Sequence, residues 1–338
     1  MANRRSRWSF SATVALALTL SASMALGAFA TLRPTFEPGT EQPPTSTLEW
    51  SVEAVGGLRV GDQTQLNNVE LPEGKQVNLR LERFEVLADG AQVVVAGPDG
   101  ERPLDVSGLV LLRGEVIGDP ESRVFASVSA HGVQGFISTA GSVYSLSSGL
   151  AVDGLGRPED LRITKVEGPI AGLNMPPVTC GVVPGDPELH PNGIERPVDV
   201  NQLEEFGRGE PPCRVAQLAI DTDWEFSEFL FGGDTDAAAA YALTLVAGVG
   251  EIYQNNVNVR FTVSYLRVWE SDADAYNQGG DLLQEFRNHW NATQDGVERD
   301  LAHLLSGRSD LPYGGVAYLS VVCSQNFGYG LSGYLNGS

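Results

Sequence analysis

Three acidic side chains follow a short apolar run in the second half of the chain. Asp221, Asp223 and Glu225 are spaced two residues apart, directly after the apolar residues 215–220. If a strand continues through them, alternate side chains share one face and the three carboxylates lie together. Paired carboxylates perform acid–base chemistry or hold Ca²⁺. The alternative is a solvated strand end that caps a turn.

The histidines do not form a zinc site of their own. The chain has 4 His, and none is spaced from another as the ligands of one zinc ion usually are. His303 lies among apolar residues, a setting that favours a buried, hydrogen-bonded side chain over a metal ligand. A complete histidine zinc site inside these residues is therefore excluded.

The cysteines offer two different kinds of chemistry. Cys180 lies in a Pro-rich segment, where its thiolate could reach another domain and bind zinc. A disulfide with Cys213 is the alternative, and the residues leave both open. Cys323 follows an apolar run and has no obvious partner in the chain.

The N-terminus has the pattern of a secretory signal peptide. Basic residues within 4–7 precede an apolar stretch over 11–26, and residues 28–30 (AFA) fit the small-x-small cleavage rule. We predict a signal peptide over 1–30 and a secreted protein, extracellular or periplasmic. No second candidate span follows, so we predict no membrane span after signal cleavage.

Composition and charge narrow the function classes. The 338 residues are 42% hydrophobic with a formal net charge of −21, from 22 Lys+Arg against 43 Asp+Glu. This is globular material, and its negative field argues against general binding to nucleic acid. With 3 Cys, the chain is not a disulfide-dense scaffold.

The sequence pattern of the first half of the chain predicts β-structure. Residues 77–81 alternate apolar and polar side chains, and the run 93–95 (VVV) precedes a turn cluster at 97–100. We predict an antiparallel sandwich or barrel within a β-rich domain over 31–173. Residues 174–212 are rich in proline and are predicted to form a linker.

The second half, 213–338, reads as mixed α/β structure. Asp234 or Thr235 can cap a helix through about Asn255, and residues 257–268 alternate as a strand. Asp281 can cap a second helix, and residues 314–323 read as another strand. The order strand-helix-strand predicts a sheet with crossover helices.

Several segments of the first half resemble one family. Residues 112–124 (LRGEVIGDPESRV), 132–138 (GVQGFIS) and 143–146 (VYSL) resemble the propeptide of secreted reprolysin/adamalysin-type metallopeptidases, which are metzincins. Cys180, followed by Gly and Val, resembles the cysteine switch of that family. In that switch a propeptide thiolate occupies the fourth position on zinc and keeps water out.

The second half resembles the same family. Residues 216–223, 237–255 and 256–268 resemble the first strand, long helix and next strand of its catalytic domain. Residues 300–308 and 315–323 resemble the strand pair that precedes its active-site helix. The resemblance implies a β-rich propeptide domain followed by the N-terminal part only of an α/β (α+β) metzincin-like catalytic domain.

The sequence departs from the family at the zinc site. The zinc helix H-E-x-x-H-x-x-G-x-x-H and the Met-turn are absent from the chain. Those histidines hold zinc and that glutamate activates its bound water. We therefore expect an N-terminal fragment of a secreted zinc endopeptidase zymogen, with the zinc site missing and the chain inactive alone. Ca²⁺ remains a second candidate metal.

The resemblance also implies roles for particular residues. The edge that pairs with a protein or peptide substrate would be Gly315, Val316, Ala317, Tyr318 and Leu319. Cys180 would be the inhibitory zinc ligand, and the propeptide would inhibit its own enzyme.

Cleavage and a disulfide complete the expectations from the resemblance. Cleavage within 181–212, for example at Arg196 or Arg208, would release the propeptide. Cys323 would pair beyond Ser338. The alternatives are a secreted, non-catalytic binding or adhesion protein with a metzincin-like half domain, and a hydrolase that uses Asp221, Asp223 or Glu225.

Overall fold

Two β-sheets carry most of the described part of the chain. The computed structural model describes residues 55–148, 161–166, 180–182, 214–276, 279–319 and 321–335, with the backbone alone for 180–182. All of these residues belong to one compact unit, 42–169 and 177–338. The predicted signal peptide over 1–30 and most of the predicted linker, including Cys213, lie outside the described residues.

Seven antiparallel strands form the first sheet, in the order β1-β2-β5-β6-β7-β8-β9. They are β1 (Gln63–Leu71), β2 (Lys75–Phe84), β5 (Val110–Val116), β6 (Asp119–Ser129), β7 (Gly132–Thr139), β8 (Ser142–Ser147) and β9 (Arg162–Val166). Two further strands, β3 (Leu87–Gly97) and β4 (Gly100–Pro103), lie between β2 and β5 in the sequence but belong to the second sheet.

Alternation explains the core of the first sheet. In β2, Val77, Leu79 and Leu81 are buried while the residues between them are exposed, as the period-two pattern predicts. The sheet curls around its own core, and Lys165 Nζ on β9 lies 2.7 Å from Glu73 Oε1 just after β1. The strands are confirmed, and they form one curled antiparallel sheet, which is nearer to the predicted barrel than to the predicted sandwich.

The second sheet has eight strands in the order β10-β14-β15-β13-β11-β12-β3-β4. The others are β10 (Cys180–Val182), β11 (Arg214–Thr222), β12 (Val259–Trp269), β13 (Leu301–Leu305), β14 (Gly315–Ala317) and β15 (Tyr329–Ser332). Strands β15, β13, β11, β12 and β3 run parallel, whereas β14 is antiparallel to β15. The predicted crossover sheet is confirmed.

Acidic residues cap the three long helices of the described residues. Asp223 caps α1 (Trp224–Phe231), Asp234 caps α2 (Thr235–Val257) and Asp281 caps α3 (Leu282–Thr293), each carboxylate accepting from backbone N–H groups of the first turn. Negative charge at a helix N-terminus also complements the helix dipole. The predictions at Asp234 and Asp281 are confirmed.

The helices cover opposite faces of the second sheet. α2 packs on one face in a core that includes Val246 and Ala247, and this core also contains Phe125 from the first sheet. On the other face, α3 buries Phe286 and Trp290 in a separate core. No helix in the described residues is long and apolar enough to span a membrane.

One sequence expectation was wrong in detail. The strand predicted over 314–323 ends at Ala317, and the chain then turns, with Cys323 at a φ of 65°. On α2, Val249 and Ile252 are 43% and 49% exposed. The buried face of α2 is formed mainly by small residues such as Ala238 and Ala242.

Candidate substrate edge and buried carboxylates

The short strand β14 lies near one edge of the second sheet. The N–H of Tyr318 donates to the carbonyl of Tyr329 at 3.2 Å, and the N–H of Gly333 donates to the carbonyl of Gly314 at 2.9 Å. Hydrogen bonding alternates along an antiparallel strand. Gly315 and Ala317 therefore direct their backbone groups away from β15, towards the sheet edge.

The segment that contains Cys180 occupies this edge. β10 runs parallel to β14, with Cα partners Cys180 and Gly315, then Gly181 and Val316, then Val182 and Ala317. The predicted switch segment and the predicted substrate edge are thus brought together by backbone pairing. Neither predicted role is tested by this pairing.

The remaining residues of the predicted edge lie outside the strand. Tyr318 follows β14 and its ring stacks edge-on with Phe327, with centroids 6.1 Å apart. Leu319 is 50% exposed. Cys323 is exposed and forms no disulfide in the part of the chain that the structure describes, and its thiol donates to Asp300 Oδ1 at 3.3 Å. The pairing of Cys323 beyond the chain stays a prediction.

His303 lies on β13, two strands from β14. Its Nε2 is 3.0 Å from the hydroxyl oxygen of Ser332 on β15. Burial lowers the pKa of His303 to about 4, so the ring is neutral at physiological pH. His303 is hydrogen-bonded, as predicted, and its side chain is half-buried.

Asp223 ties the start of α1 to the end of β13. Its Oδ1 accepts from the N–H of Phe226 at 2.8 Å and from the N–H of Gly307 at 2.9 Å, and its Oδ2 accepts from the Ser306 hydroxyl. Burial raises the pKa of this carboxyl to about 7, against these three hydrogen bonds, which lower it. A Cβ at Gly307 would lie 2.3 Å from the carbonyl carbon of Glu225, so only glycine fits this close approach.

Asp221 is the centre of a buried polar cluster. Its carboxylate accepts from Arg267 Nε at 3.1 Å, from Trp290 Nε1 at 2.6 Å and from Trp269 Nε1 at 3.3 Å, and also from the Tyr276 hydroxyl. We call Asp221, Arg267, Trp269, Tyr276 and Trp290 the Asp221 cluster. Every polar group in the cluster has a charged or hydrogen-bonded partner, which identifies it as structural.

The carboxylates do not form the single face that the spacing suggested. β11 ends at Thr222, and Asp223 caps the helix that follows. A continued strand would instead have placed Asp223 on the same face as Asp221. Both Asp221 and Asp223 are fully buried, so the solvated alternative was also wrong. Asp221 and Asp223 each have their own set of protein donors, an arrangement that holds elements together. Glu225 is partly exposed, and its Oε2 has no hydrogen-bond partner among the described residues.

The described side chains form no cluster of zinc ligands. Within the described ranges, no group of three or more His, Cys, Asp and Glu residues could hold a metal ion. The carboxylates of Asp221 and Asp223 are already occupied by N–H and O–H donors of the protein. The described side chains therefore do not fit a zinc site, and the calcium site stays a prediction.

One family model and two solved structures are similar to parts of this chain. Residues 213–336 match the family model Reprolysin_5, described as Metallo-peptidase family M12. Metalloproteinase-II from Bacteroides fragilis is similar at 10% identity, over 82% of this chain and 77% of that chain, with a TM-score of 0.38. A chaperone-substrate complex is similar at 12% identity, over 36% of this chain and 20% of that chain, with a TM-score of 0.28.

The family match supports a metallopeptidase family for the part of the chain that forms β11 to β15 and the three helices. Metallopeptidases of family M12 use zinc in general. The match begins where the predicted linker ends, and it covers both the edge strand β14 and the buried carboxylates.

Sequence reasoning missed the partners of Asp221. Arg267 stands between apolar residues in β12, and such an arginine must find a counter-charge if its strand is buried. That signal was present in the sequence, but it does not say which carboxylate is the partner. The two tryptophans of the cluster, Trp269 on β12 and Trp290 on α3, are 21 residues apart in the sequence and belong to different elements.

Proposed function

We propose that this chain is part of a secreted, zinc-dependent metalloendopeptidase zymogen, in which the N-terminal half is the inhibitory propeptide. One observation carries the proposal: the segment Cys180–Val182 pairs with β14, the strand expected to bind an extended substrate. The match of residues 213–336 to metallopeptidase family M12 supports the class of enzyme.

The backbone of β14 is suited to binding a peptide. Gly315 is small, and Ala317 is exposed, so neither side chain blocks an approaching chain. The outward N–H and carbonyl groups of these two residues offer main-chain hydrogen bonds to any extended peptide, whatever its side chains. A protein or peptide substrate would therefore bind where β10 now lies.

The same geometry makes β10 an inhibitor. A strand paired with β14 denies its outward hydrogen bonds to a substrate, so the two would compete for one edge. Cys180 would add a zinc-binding thiolate to this block. Cleavage within 183–212 would sever the covalent connection between β10 and β11, which would lower the effective concentration of β10 at the edge and so weaken its competition with substrate.

The catalytic zinc needs ligands that these 338 residues do not supply. The sequence has no H-E-x-x-H motif, and the described side chains form no metal site. In this proposal the zinc ligands and the general base come from residues outside the sequence given. No step of peptide-bond cleavage is assigned to a residue of this chain.

The first test is to read the coding DNA past the codon for Ser338. An in-frame H-E-x-x-H-x-x-G-x-x-H supports the proposal, and an immediate stop codon contradicts it. A stop would favour the alternative of a secreted binding or adhesion protein.

If the motif is found, the whole reading frame is expressed and assayed for chelator-sensitive peptide cleavage. Ala317→Pro removes an outward N–H from β14 and should abolish peptide cleavage, whereas Ala317→Val keeps the N–H and should retain it. Cys180→Ala should raise the activity of the uncleaved protein. Equal activity of the two Ala317 variants would contradict the role of the edge.

A further inference from the structure

The two halves of the molecule share one sheet. β3 pairs in parallel with β12, and the Cα partners run from Tyr265 and Gln92 to Trp269 and Ala96. Backbone hydrogen bonds extend this ladder at both ends, from the N–H of Val263 to the carbonyl of Val86 at 2.7 Å and from the N–H of Glu270 to the carbonyl of Ala96 at 3.0 Å. The N-terminal hairpin β3–β4 is therefore the outer part of the C-terminal sheet.

Side chains of β3 are divided between the two cores of that sheet. Val93 packs on the α2 side, whereas Val94 and Ala96 pack on the α3 side, with Trp290 in the same core. Withdrawal of the hairpin would expose both cores at once and leave the long edge of β12 without a partner. Long unpaired apolar edges are unfavourable in water.

The hairpin also reaches the Asp221 cluster. Arg267, whose side chain is 3% exposed, is 3.3 Å from Glu101 Oε1 on β4. A second pair joins Arg102 Nη2 to Glu270 Oε2 at 2.9 Å, although both of these side chains are partly exposed. Glu101 therefore supplies a second carboxylate to an otherwise buried guanidinium.

A second contact between the halves lies on α2. Phe125 of the first sheet packs so closely on this helix that a Cβ at Gly248 would lie 3.0 Å from its Cε1. The hydroxyl groups of Ser127 and Thr244 are 2.6 Å apart and buried. Arg123 Nη2 donates to Asn255 Oδ1 at 2.6 Å at the end of the same contact.

We propose that residues 55–166 remain bound to the C-terminal half as a non-covalent subunit after the chain between them is cut. The interface combines a continuous strand ladder, two shared cores and a buried hydroxyl pair, none of which depends on the connecting peptide. The inference goes beyond the proposed enzymatic function and does not require it. Cleavage of the linker alone would not separate an inhibitory N-terminal half.

The test uses the full chain with a recognition sequence for a site-specific protease inserted within residues 183–212. After complete cleavage, the fragments are run on gel filtration at micromolar concentration, in low and in high salt. We expect one complex that contains both fragments in either salt and that only denaturant separates. Two separate peaks, or precipitation of the C-terminal fragment alone, would overturn the inference.

Two variants test the α2 contact. Gly248→Leu places a side chain against Phe125, so the cut fragments should separate at a lower denaturant concentration. Val249→Leu changes the adjacent, exposed position and should separate as the unsubstituted protein does. Thr244→Val is a milder change that leaves Ser127 without its partner, and it gives the same readout if Gly248→Leu does not fold.

The Val249→Leu control should separate at the same denaturant concentration as the unsubstituted complex. If the Thr244→Val complex also separates at that concentration, the α2 contact does not hold the halves together. Because the readout is association and not peptide cleavage, it remains valid if the proposed enzymatic function fails.

Discussion

In the second sheet, strands β14, β15, β13, β11 and β12 come from the C-terminal half of the chain. Earlier parts of the chain cover both edges of this group of strands, but in very different ways. At one edge, β10 and β14 pair over three residues each. At the other edge, the pairing of β3 with β12 extends from Leu87 and Val263 to Ala96 and Trp269, with one register shift. The first contact is a short backbone ladder, whereas the second is longer and also buries valines in two cores.

This difference separates an exchangeable contact from a structural one. A three-residue ladder has few backbone hydrogen bonds, so another extended peptide can replace it. A long ladder between two cores cannot exchange without opening both. In our proposals, the first edge is where inhibition is relieved and the second edge is where the N-terminal half stays attached.

The largest expected effect is at the structural edge. Arg267→Met leaves the buried Asp221 carboxylate without its counter-charge, which should lower the free energy of unfolding by about 3–5 kcal/mol. Arg102→Met removes an ion pair at the exposed surface of the same hairpin and should change it by at most about 1 kcal/mol. Urea unfolding of both variants measures the difference. A similar decrease in the free energy of unfolding in both variants would mean that the ion pair between Asp221 and Arg267 does not stabilise the Asp221 cluster.

A proline in each edge compares the two contacts directly. Val95→Pro should lower the free energy of unfolding by about 3 kcal/mol or more, because Val95 is fully buried in a strand paired on both sides. Ala317→Pro should lower it by about 1 kcal/mol, since its N–H faces only β10. Val95→Ala controls for the loss of side-chain volume. Equal effects of the two prolines would remove the distinction between the edges.

The buried Asp223 carboxyl makes stability depend on pH. Its pKa is raised by burial from 3.8 to about 7, so the folded state binds a proton that the unfolded state has lost between these values. The free energy of unfolding should therefore fall as pH rises from about 4 to about 7, by at most about 1.4 kcal/mol per pH unit.

Asp223→Asn is the matched control for this pH dependence. The amide oxygen can still accept from Phe226 and Gly307, and the group does not titrate. Chemical unfolding of both proteins at several pH values should show a smaller slope in the variant. Identical slopes would contradict the raised pKa.

The smallest expected effect is beside the exchangeable edge. Ser332→Ala removes the hydroxyl partner of His303 and should lower the free energy of unfolding by about 1 kcal/mol. Ser332→Thr keeps a hydroxyl and serves as the control. Nuclear magnetic resonance of the His303 ring should show it neutral at pH 6 or above in both, because its pKa lies at about 4. A ring that titrates near pH 6.5 would show that His303 is accessible to water.

Local patterns predicted the elements well. The alternation of Val77, Leu79 and Leu81 and the caps at Asp234 and Asp281 depend on neighbours in sequence, so they could be found without a structure. The partner of each strand could not. The run Val93-Val94-Val95 is the instructive case, because three consecutive buried residues indicate a strand covered on both faces.

That signal does not separate β3 from every strand of the first half. Val110, Leu111 and Leu112 of β5 are also consecutive and buried, because that strand packs against two cores. The run therefore predicts a strand covered on both faces, but not the sheet to which β3 belongs. The pairing of Cys180 with Gly315 had no such signal, because three residues carry too little pattern.

The position of the hairpin in the chain has a consequence for biosynthesis. Glu101 and Arg267 are separated by 166 residues, so β3 and β4 leave the ribosome long before β12 exists. During that interval the valines of β3 have no partner strand and are exposed to non-native association. Contacts between such distant segments also slow folding, since a long loop must close before they form. We therefore expect synthesis of this protein to depend strongly on chaperones that shield the hairpin.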